Sequence, residues 1–450
     1  MTSTSASHPA GTADPVDVPD PSARTCDVLV VGGGPAGLLL AILLQQRGVD
    51  AVVLERRWQL STHSRAIGLH PPALAALTAV GLDAAAIARG APILRGAARS
   101  RDRHLGSLSF ELSCPERPYV LALPQSVTEE MLTQRLTQLA PAALHRGIDV
   151  VAIQDRGADV QVTARRTPRE DGQGTAPDGA GTPAGSASPA AGSAGTDPGP
   201  TTWRARVVVG ADGARSTVRE LAGIRTDLRI YPDTYLMGDV ADSDDARRTA
   251  ASHAARPATI HLHPGGVVES FPLPGSGRRW VAHTGTAPTA SDPDDLAAIV
   301  RRRTGARIDP ATTTMISAFT VQRRTARTML RGRQVLIGDA AHEISPIGGQ
   351  GITLGWLDAL ALAPLLEQVI TRDLRHPLPT MPLLQRFDRD RRLAARTAGL
   401  LAELNMVLGR PRSTLVAGVR DAGIRAVLRT PLRHRMAWAY SMGWATLDRS

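Results

Sequence analysis

Residues 26–37 read CDVLVVGGGPAG, in which an apolar strand runs directly into a glycine-rich turn. An apolar helix pattern follows from 38 to 47, and a second apolar run, 51–54, ends on Glu55. Strand, glycine turn, helix and strand, with an acid about twenty residues after the last glycine, form a βαβ nucleotide-binding unit. The stretch therefore predicts an α/β fold that contains a Rossmann-type domain.

The three glycines of this turn have separate roles in such a unit. Gly32 permits the tight turn, Gly34 lets a pyrophosphate approach the backbone, and Gly37 lets the helix pack closely against the strand. The carboxylate of Glu55 would accept hydrogen bonds from a ribose 2′-hydroxyl, which disfavours NADP at this site. The unit alone does not separate FAD from NAD.

Two further stretches repeat the pattern of a buried strand, a glycine turn with an aspartate, and a helix. The first is 207–219, with Asp212 in its turn. The second is 334–357, where Asp339 belongs to the long turn GDAAHEISPIGGQG at 338–351. Such turns present backbone N–H groups and a positive helix end to an anionic or electron-rich group. Three turns of this kind predict a large nucleotide cofactor held from several sides.

The composition argues against several classes of protein. All 52 basic residues are arginines, since the chain contains no lysine, and the formal net charge is +10. Cys26 and Cys114 have no metal-ligand spacing, which predicts a reduced intracellular protein without disulfides. The N-terminus lacks the apolar segment of a secretory signal, and no apolar run reaches the roughly 18 residues of a membrane span. We therefore expect a cytoplasmic protein.

Much of the positive charge lies near the C-terminus. Residues 386–435 contain twelve arginines and four acidic residues, and the uncharged, aromatic stretch 436–444 follows them. A solvated helical surface packed on the body is the simpler interpretation. Peripheral contact with the anionic inner face of a membrane stays open as the alternative. Nucleic-acid binding is not expected, because no recognition motif accompanies the charge.

The patterns along the chain predict a discontinuous domain organisation. An antiparallel sheet large enough to cover a ligand is inserted into the nucleotide-binding domain, and helices end the chain. The low-complexity segment 167–202 is predicted to be a mobile loop inside the first domain. The predicted parts are a disordered tail, 1–24; a nucleotide-binding domain, 25–90, 120–228 and 320–370; a substrate-covering sheet domain, 91–119 and 229–319; and a C-terminal helical region, 371–450.

A few side chains outside the glycine turns are further candidates. Arg65 follows the βαβ unit and is a candidate ligand of the cofactor, with a surface arginine as the alternative. Gln125 stands at a predicted sheet edge, just before a capping box at 126–129 that would start a helix. His261 and His263 share one face of a predicted strand, where sheet packing or surface exposure is favoured over a substrate pocket.

Three motifs now stand in order: GGGPAG at 32–37, GADGARS at 210–216 and GDAAHEISPIGGQG at 338–351. This set resembles that of the single-component, group A flavoprotein monooxygenases, the family of para-hydroxybenzoate hydroxylase and the ubiquinone-type ring hydroxylases. The resemblance covers roughly residues 25–370. It implies non-covalently bound FAD, with NADH or NADPH as a transient reductant, which fits a chain with no visible second Rossmann unit.

The resemblance also implies roles for individual residues. Asp212 would belong to a motif shared by FAD and the nicotinamide contact, and Asp339 would hydrogen-bond the ribityl chain. Pro346, the one residue implied in the chemistry itself, would lie beside the reactive face of the flavin. Thr353 stands where many members have asparagine, and Ser345 where many have proline. The residues implied to hold FAD are Gly32, Gly34, Gly37, Glu55, Arg65, Gln125, Asp212, Asp339, Gly348, Gly349, Gly351 and Ile352.

The chemistry implied by the resemblance is aromatic hydroxylation. In this family NAD(P)H reduces FAD, O₂ adds to form a flavin C4a-hydroperoxide, and an electron-rich ring attacks its distal oxygen. The substrate would be a phenol or quinol, lipid-like or of polyketide type. A reductase or epoxidase of an isoprenoid or polyketide substrate, and a non-catalytic flavin-binding protein, are the alternatives. Halogenation is disfavoured, because halogenases of similar fold rely on an active-site lysine, which this chain lacks.

Overall fold

The computed structural model describes residues 23–60, 66–101, 103–111, 116–168, 199–242, 256–285, 291–371 and 377–445. Residues 1–22 of the predicted tail, most of the low-complexity segment, Arg65 and Cys114 lie outside these ranges. The predicted end of the tail at 24 is wrong by one residue, because Arg24 begins the first strand. The described chain forms a mostly parallel sheet, a mostly antiparallel sheet, a small three-stranded sheet and a group of C-terminal helices. The predicted α/β class with an antiparallel sheet and C-terminal helices is confirmed.

The elements have the following bounds within the described residues. The strands are β1 (Arg24–Val31), β2 (Ala51–Glu55), β3 (Gly68–Leu69), β4 (Ala91–Ile93), β5 (Arg95–Ser100), β6 (Arg103–Ser109), β7 (Val120–Ala122), β8 (Leu144–Arg146), β9 (Ile148–Asp155), β10 (Val160–Arg166), β11 (Thr201–Gly210), β12 (Thr226–Ala241), β13 (Ala258–His261), β14 (Val268–Pro272), β15 (Gly277–His283), β16 (Met315–Ala326), β17 (Leu330–Arg331), β18 (Gln334–Leu336) and β19 (His342–Glu343). The α-helices are α1 (Pro35–Gln45), α2 (Pro71–Ala79), α3 (Asp83–Arg89), α4 (Gln125–Leu139), α5 (Thr217–Leu221), α6 (Pro293–Thr304), α7 (Gly351–Thr371), α8 (Pro382–Gly409), α9 (Thr414–Leu428) and α10 (Leu432–Tyr440).

The parallel sheet has the strand order β17-β18-β11-β1-β2-β8, and the β10–β9 pair branches from β11. β1 lies between β11 and β2 and is parallel to both, so that Val30 pairs with Val209 and Val53. Side chains of these strands are buried on both faces, which explains their continuous apolar runs. Because β18, β11 and β1 are parallel neighbours, the glycine turns that follow them lie side by side at one edge of the sheet.

The antiparallel sheet has the order β19-β16-β12-β15-β14-β13-β5-β6, and among these described strands only β13 and β5 are parallel neighbours. One of its faces packs against α6 through Leu296 and Val300. The opposite face lines a cavity. β12 begins at Thr226 and β16 continues to Ala326 as one strand. We therefore propose 226 and 326, instead of 229 and 319, as the limits of the second part of the sheet domain.

The C-terminal helices pack on both parts of the molecule. α8 contacts α7 and β16, while α9 and α10 contact β6. In α10 the ring of Tyr440 stacks on Phe110, with the ring centroids 6.1 Å apart. Ala437 is buried, whereas Trp438 stays 40% exposed. One side of the aromatic stretch therefore packs on the body, and the other side is exposed.

The predicted start of α4 is wrong by a small shift. Pro124 occupies the N-cap position, no side chain caps the helix, and Gln125 is already its first residue. The backbone N–H of Gln125 donates to the carbonyl oxygen of Ala66 at 3.2 Å, which fixes the start before Ser126. Residues 126–129 therefore lie inside the first turns and do not form a capping box.

The low-complexity segment connects two neighbouring strands, as its position in the sequence predicts. β10 and β11 are antiparallel partners, and Ala164 pairs with Thr201. The segment therefore links strands within one sheet, and its predicted end at 202 is wrong by two residues, because β11 begins at Thr201. Its predicted mobility concerns residues that lie almost wholly outside the described ranges.

Within the described residues, α7 is long and apolar enough to cross a membrane by length and composition alone. However, 61% of the apolar stretch of this helix is buried against the rest of the molecule. Trp356, Leu362 and Leu366 of this helix belong to the main core together with β1, β2 and α1. This burial is typical of the core helix of a globular protein.

Candidate cofactor and substrate site

A cavity of about 1200 Å³ lies between the turn-bearing edge of the parallel sheet and the inner face of the antiparallel sheet. All three glycine turns contribute to its wall. Of the predicted candidates, Gly37 does not line the cavity, and Arg65 lies outside the described residues. The others all line it: Gly32, Gly34, Glu55, Gln125, Asp212, Asp339, Pro346, Gly348, Gly349, Gly351 and Ile352.

The first turn leaves open space above its backbone. Gly32 has φ +109°, and its N–H donates to the carbonyl oxygen of Leu54 at 2.8 Å. A Cβ atom on Gly37 would collide with the carbonyl oxygen of Gly32. A Cβ atom on Gly34 would meet no atom within 4 Å. The turn thus has the close helix packing and the open approach that a bound pyrophosphate requires.

The carboxylate of Glu55 is held at the end of β2. Its Oε2 accepts a hydrogen bond from the N–H of Gly33 at 2.6 Å, and its Oε1 accepts one from Nε of Arg57 at 2.8 Å. Burial raises the pKa of Glu55, but the hydrogen bonds from Arg57 and Gly33 outweigh it and hold the pKa below the ordinary value. Glu55 is therefore ionised at neutral pH and can accept hydrogen bonds from ribose hydroxyls.

Gln125 and Glu129 face the same end of the cavity from α4. The amide Nε2 of Gln125 donates to Oε1 of Glu129 at 2.8 Å, and Arg57 lies 3.6 Å from the other carboxylate oxygen. Burial raises the pKa of the Glu129 carboxyl above its ordinary value. Gln125 is thus oriented by Glu129, which the sequence patterns identified only as part of a capping box.

Asp212 stabilises the second turn through its side chain. Its Oδ1 accepts a hydrogen bond from the hydroxyl of Ser216 at 2.5 Å, and its Oδ2 accepts one from the N–H of Val218 at 3.0 Å. Burial raises the pKa of Asp212, against the effect of these hydrogen bonds. The predicted cofactor contact therefore also holds its own turn in shape beside the cavity.

Residues 338–351, which we call the shelf, form the floor of the cavity. Gly348 and Gly349 have φ +99° and +65°, a left-handed region that favours glycine. The N–H of Gly349 donates to the carbonyl oxygen of Pro346 at 3.0 Å, and Pro346 itself is exposed to the cavity. Nε2 of His70 lies 3.0 Å from the carbonyl oxygen of Gly348. Burial lowers the pKa of His70 to about 4, so its neutral imidazole donates this bond.

Asp339 opens onto the cavity at the start of the shelf. Its side chain is exposed to the cavity, but the cavity itself is enclosed by protein. Because this enclosure shields the carboxyl group from bulk water, the pKa of Asp339 is raised to about 6. A ligand hydroxyl that donates to Asp339 would favour the charged form. Thr353, two residues beyond the end of the shelf, is fully buried, and its hydroxyl has no hydrogen-bond partner among the described residues. Ile352, and not Thr353, reaches the cavity wall.

A buried ionic network lies beneath the shelf. Asp358 of α7 accepts hydrogen bonds at Oδ2 from the N–H of Gly338 at 2.9 Å and from Nε2 of His342 at 2.6 Å. Its Oδ1 accepts one from Nε of Arg391 in α8 at 2.6 Å. Asp358 and His342 are almost fully buried. Asp358 thus ties the shelf, the core helix α7 and the C-terminal helix α8 together.

The part of the cavity beneath the antiparallel sheet, which we call the substrate lobe, is apolar and aromatic. Phe110, Phe271, Phe319 and Tyr440 line it. His261 and His263 do not. The ring of His261 lies 6.2 Å from that of Trp280, and Nδ1 of His263 accepts a hydrogen bond from Gly265 in a turn at 2.9 Å. This placement agrees with the packing and surface interpretation of both histidines.

Glu269 is a buried carboxyl group in the wall of the substrate lobe. Its side chain is 6% exposed and has no hydrogen-bond or ion-pair partner among the described residues. Burial raises its pKa to about 7. A buried carboxylate without a partner costs stability. The fold therefore tolerates an unfavourable group at this position.

This cost predicts a pH-dependent gain in stability for Glu269→Gln. The folded state holds the proton of Glu269 up to about pH 7, whereas an ordinary glutamate loses it near 4.5. Stability therefore falls as the pH rises through this window. We expect Glu269→Gln to be more stable than the parent at pH 8 by roughly 3 kcal/mol, with a smaller difference at pH 5. Thermal unfolding at both pH values measures it.

The control for this prediction is Ser270→Ala on the same strand. Ser270 faces away from the cavity, where its hydroxyl accepts a hydrogen bond from Arg278 at 3.1 Å. Its loss should change stability equally at both pH values. A Glu269→Gln variant that is less stable than the parent at pH 8 would contradict the conclusion that the carboxylate of Glu269 is buried without a partner.

Comparison with known proteins places the chain in a family. The family described as FAD binding domain matches residues 25–177 and 181–397. The 6-methylpretetramide 4-monooxygenase of Streptomyces rimosus is 32% identical over 395 residues, which cover 85% of this chain and 63% of that protein. The chain thus spans slightly less than two thirds of the length of that relative.

Solved structures agree with this placement. The p-nitrophenol 4-monooxygenase PnpA of Pseudomonas putida DLL-E4 superposes with a TM-score of 0.78 at 24% identity, over 95% of this chain and all of that one. The OxyS anhydrotetracycline hydroxylase of Streptomyces rimosus has a TM-score of 0.69 at 26% identity, over 93% of this chain and 76% of that one. Both share the fold described above.

The fold and the cavity therefore define a FAD-binding flavoprotein. The open turn above Gly34, the ionised Glu55 and the bare backbone of the shelf fit the pyrophosphate, ribose and ring of FAD. More narrowly, the chain belongs to the group A flavoprotein monooxygenases, the family that its three motifs predict.

Proposed function

We propose that the protein is an NAD(P)H-dependent FAD monooxygenase that hydroxylates an electron-rich aromatic ring, a phenol or quinol. The observation that carries this proposal is the aromatic substrate lobe, which opens directly onto the shelf beside Pro346. FAD, when bound, supplies hydride acceptance and oxygen activation. The protein has to orient the ring and keep water out, and an apolar lobe covered by a sheet suits both tasks.

The geometry supports a role for those predicted cofactor residues that line the cavity. We propose that Glu55 binds the ribose, that Gly32 and Gly34 receive the pyrophosphate, and that Asp339 binds the ribityl chain. The backbone from Gly348 to Ile352 would lie along the flavin ring. Asp212 and Gln125 would complete the wall, and the assignment of Arg65 rests on the family resemblance alone.

The names of the relatives favour a fused-ring substrate. The 6-methylpretetramide 4-monooxygenase and the anhydrotetracycline hydroxylase are named for such polyketides. The size of the cavity, about 1200 Å³, leaves space for a ring system beside a dinucleotide. We therefore propose a polyketide-type phenol in preference to a lipid-like one.

The test is a substrate screen with purified holoenzyme. The protein should be yellow and release FAD on denaturation, and a panel of phenols should stimulate NAD(P)H oxidation with incorporation of ¹⁸O from ¹⁸O₂ into the product. Anaerobic reduction of a substrate would select the reductase alternative, and an epoxide product would select the epoxidase. Bound flavin without substrate-stimulated turnover would select the non-catalytic flavin-binding alternative, and a protein that contains no flavin would overturn both the hydroxylase and the reductase or epoxidase hypotheses.

We further propose that the protein works in the cytoplasm and that its C-terminal helices contact the inner face of the membrane. Apolar side chains of α9 and α10 are exposed next to the arginines: Leu415 is 79%, Val419 69% and Leu432 52% exposed. Such a surface suits anionic lipid. Flotation with vesicles rich in phosphatidylglycerol tests this, with a Leu415→Ser, Val419→Ser, Leu432→Ser variant as control. Equal flotation of both proteins, or none, would contradict it.

A further inference from the structure

Glu269 lies in the middle of a row of side chains that crosses the antiparallel sheet. Residues paired across neighbouring strands place their side chains on the same face. The strand pairings therefore align Glu269 with apolar or glycine neighbours on both sides, and every member of the row lines the cavity. From β6 to β12 the row is Gly106, Ala98, Ile260, Glu269, Val281 and Met237.

One end of this row packs against the part of the shelf that contains Pro346. Met237 and Val281 belong to the same apolar cluster as Ile347, which follows Pro346 in the chain. The row therefore runs from the far wall of the substrate lobe to the point where a flavin on the shelf would meet its substrate. A ring that fills the lobe would contact both the shelf and Glu269.

The other ionisable groups near Glu269 already have partners or are neutral. Arg279, which also lines the lobe, is bound to Asp239 by two hydrogen bonds of 2.6 and 2.7 Å. His283 contacts Asp233 at 3.3 Å, and burial lowers its pKa. Tyr235 and Tyr440 have phenol pKa values raised by burial and then by the charge of Glu269. The carboxylate of Glu269 thus stands without a counter-ion in an apolar lobe.

A carboxylate in this position is suited to one kind of ligand atom. Buried polar groups in proteins nearly always have a hydrogen-bond partner, so an unpaired one that faces a cavity implies a donor on the ligand. The pKa of Glu269 is raised to about 7, which is nearer to the pKa of a phenol, about 10, than the pKa of an ordinary glutamate is. Such a match favours proton transfer between the two groups.

We propose that Glu269 accepts the hydrogen bond of the substrate's phenolic hydroxyl and takes its proton, and that the lobe thereby selects neutral phenols over aromatic carboxylates. This inference rests on the proposed function and names the group that activates the ring. The phenolic O–H bond breaks, the proton moves to a carboxylate oxygen of Glu269, and the electron pair stays on the phenolic oxygen. The ring carbons ortho and para to it become more electron-rich.

The proton balance closes within one turnover. O₂ is the oxidant and NAD(P)H the reductant, as in the proposed function. After the ring carbon has gained its hydroxyl group, the hydrogen it carried leaves as a proton to solvent, and Glu269 returns its own proton to the phenolic oxygen. An aromatic carboxylate would instead meet the negative Glu269, with Arg279 already bound to Asp239.

The first test measures binding and needs no turnover. The probes are 2-hydroxyanthraquinone, its methyl ether 2-methoxyanthraquinone, and anthraquinone-2-carboxylate, each titrated into the oxidised holoenzyme. The parent protein should bind the phenol at least ten-fold more tightly than the ether, and the visible band of the phenolate should appear in the complex. In Glu269→Gln this preference should vanish, the band should need a pH at least about one unit higher, and the carboxylate should bind more tightly.

Two controls separate this role from a structural one. Ser270→Ala, on the opposite face of the same strand, should behave as the parent in all three titrations. Glu269→Asp keeps the charge on a shorter side chain and should retain part of the phenolate band. Flavin content and the flavin absorption spectrum show that each variant is folded. A phenolate band and ligand preference in Glu269→Gln equal to those of the parent would overturn the proposal.

The second test separates this inference from the proposed function. If the parent hydroxylates a phenol, Glu269→Gln should lose about a hundred-fold in kcat, and the rise of kcat/KM with pH near 7 should disappear. Unchanged rates and pH profile in the variant would overturn the role of Glu269 alone. A parent protein that binds the phenol as predicted but hydroxylates none would overturn the proposed function and leave the binding role in place.

Discussion

Gly37→Ala is expected to be purified without FAD and to be destabilised by about 3 kcal/mol, the upper part of the usual range for overpacking. The added methyl group would collide with the carbonyl oxygen of Gly32 and lie 3.2 Å from Cβ of Ala211. Neither neighbour can move freely, because one is backbone of the first turn and the other belongs to the second turn. The variant must push α1 away from the sheet, and this opens both turns.

Two alanine variants with the same chemical change separate packing from cofactor approach. A methyl group on Gly34 meets no protein atom within 4 Å, so Gly34→Ala should keep the stability of the apoprotein but bind FAD more weakly. Gly418→Ala, in exposed helix α9, should keep full flavin content and gain up to about 1 kcal/mol in stability. Urea unfolding and the ratio of flavin to protein measure all three. Full flavin content in Gly37→Ala would refute the packing argument.

The features that sequence alone predicted are local ones. Each glycine turn combines a strand, a turn and a helix within about twenty residues, so its conformation follows from neighbouring residues. The pairing of β18 with β11 and of β11 with β1 joins segments more than a hundred residues apart. The sequence did not show that pairing. The three similar turns nevertheless predicted its consequence, a cofactor held from several sides.

Other features were not predicted, because the role of a side chain there depends on residues that are distant in the sequence. Asp358 is the only charged residue in the stretch 352–366 of helix α7, and only the tertiary structure brings His342 and Arg391 to it. Glu269 sits at an inward position of β14, with Val267 and Phe271 two residues away on the same face. In both cases a lone acid in an apolar pattern was the available signal, since such a residue must be paired or functional.

A helix and a helix start show the limits of local patterns. α6 was not predicted, although Asp292 caps it, Asp294 and Asp295 lie in its first turn, and Gly305 ends it in a left-handed conformation. The strand-like runs on either side masked these signals. For α4 the capping box at 126–129 was the expected start, but the hydrogen bond from Gln125 to Ala66 fixes an earlier one. Tertiary contacts decide between local alternatives that are close in energy.

Asp358→Asn is expected to lower the free energy of unfolding by about 3–5 kcal/mol, the cost of breaking a buried ion pair from one side. The amide leaves His342 and Arg391 buried without their counter-ion. It also presents N–H groups where Gly338, His342 and Arg391 all donate. The shelf should loosen, so that FAD dissociates more readily. The matched control is Asp227→Asn, because Asp227 forms an exposed ion pair with Arg327 at 2.8 Å and should contribute less than about 1 kcal/mol.

The pH dependence of this loss tests the charge state of the network. Burial raises the pKa of Asp358, but His342 and Arg391 outweigh it and hold that pKa below its ordinary value. Its contribution is therefore present above about pH 4 and lost on acidification. Burial lowers the pKa of His342, but Asp358 outweighs it and raises that pKa, so its contribution is present below about pH 6.5 and is lost at higher pH. The difference in urea unfolding between parent and Asp358→Asn should thus be largest near pH 6 and smaller at pH 9, where the bond to Arg391 alone remains charged. A difference that does not change between these pH values would show that His342 is neutral and that the network acts only through hydrogen bonds.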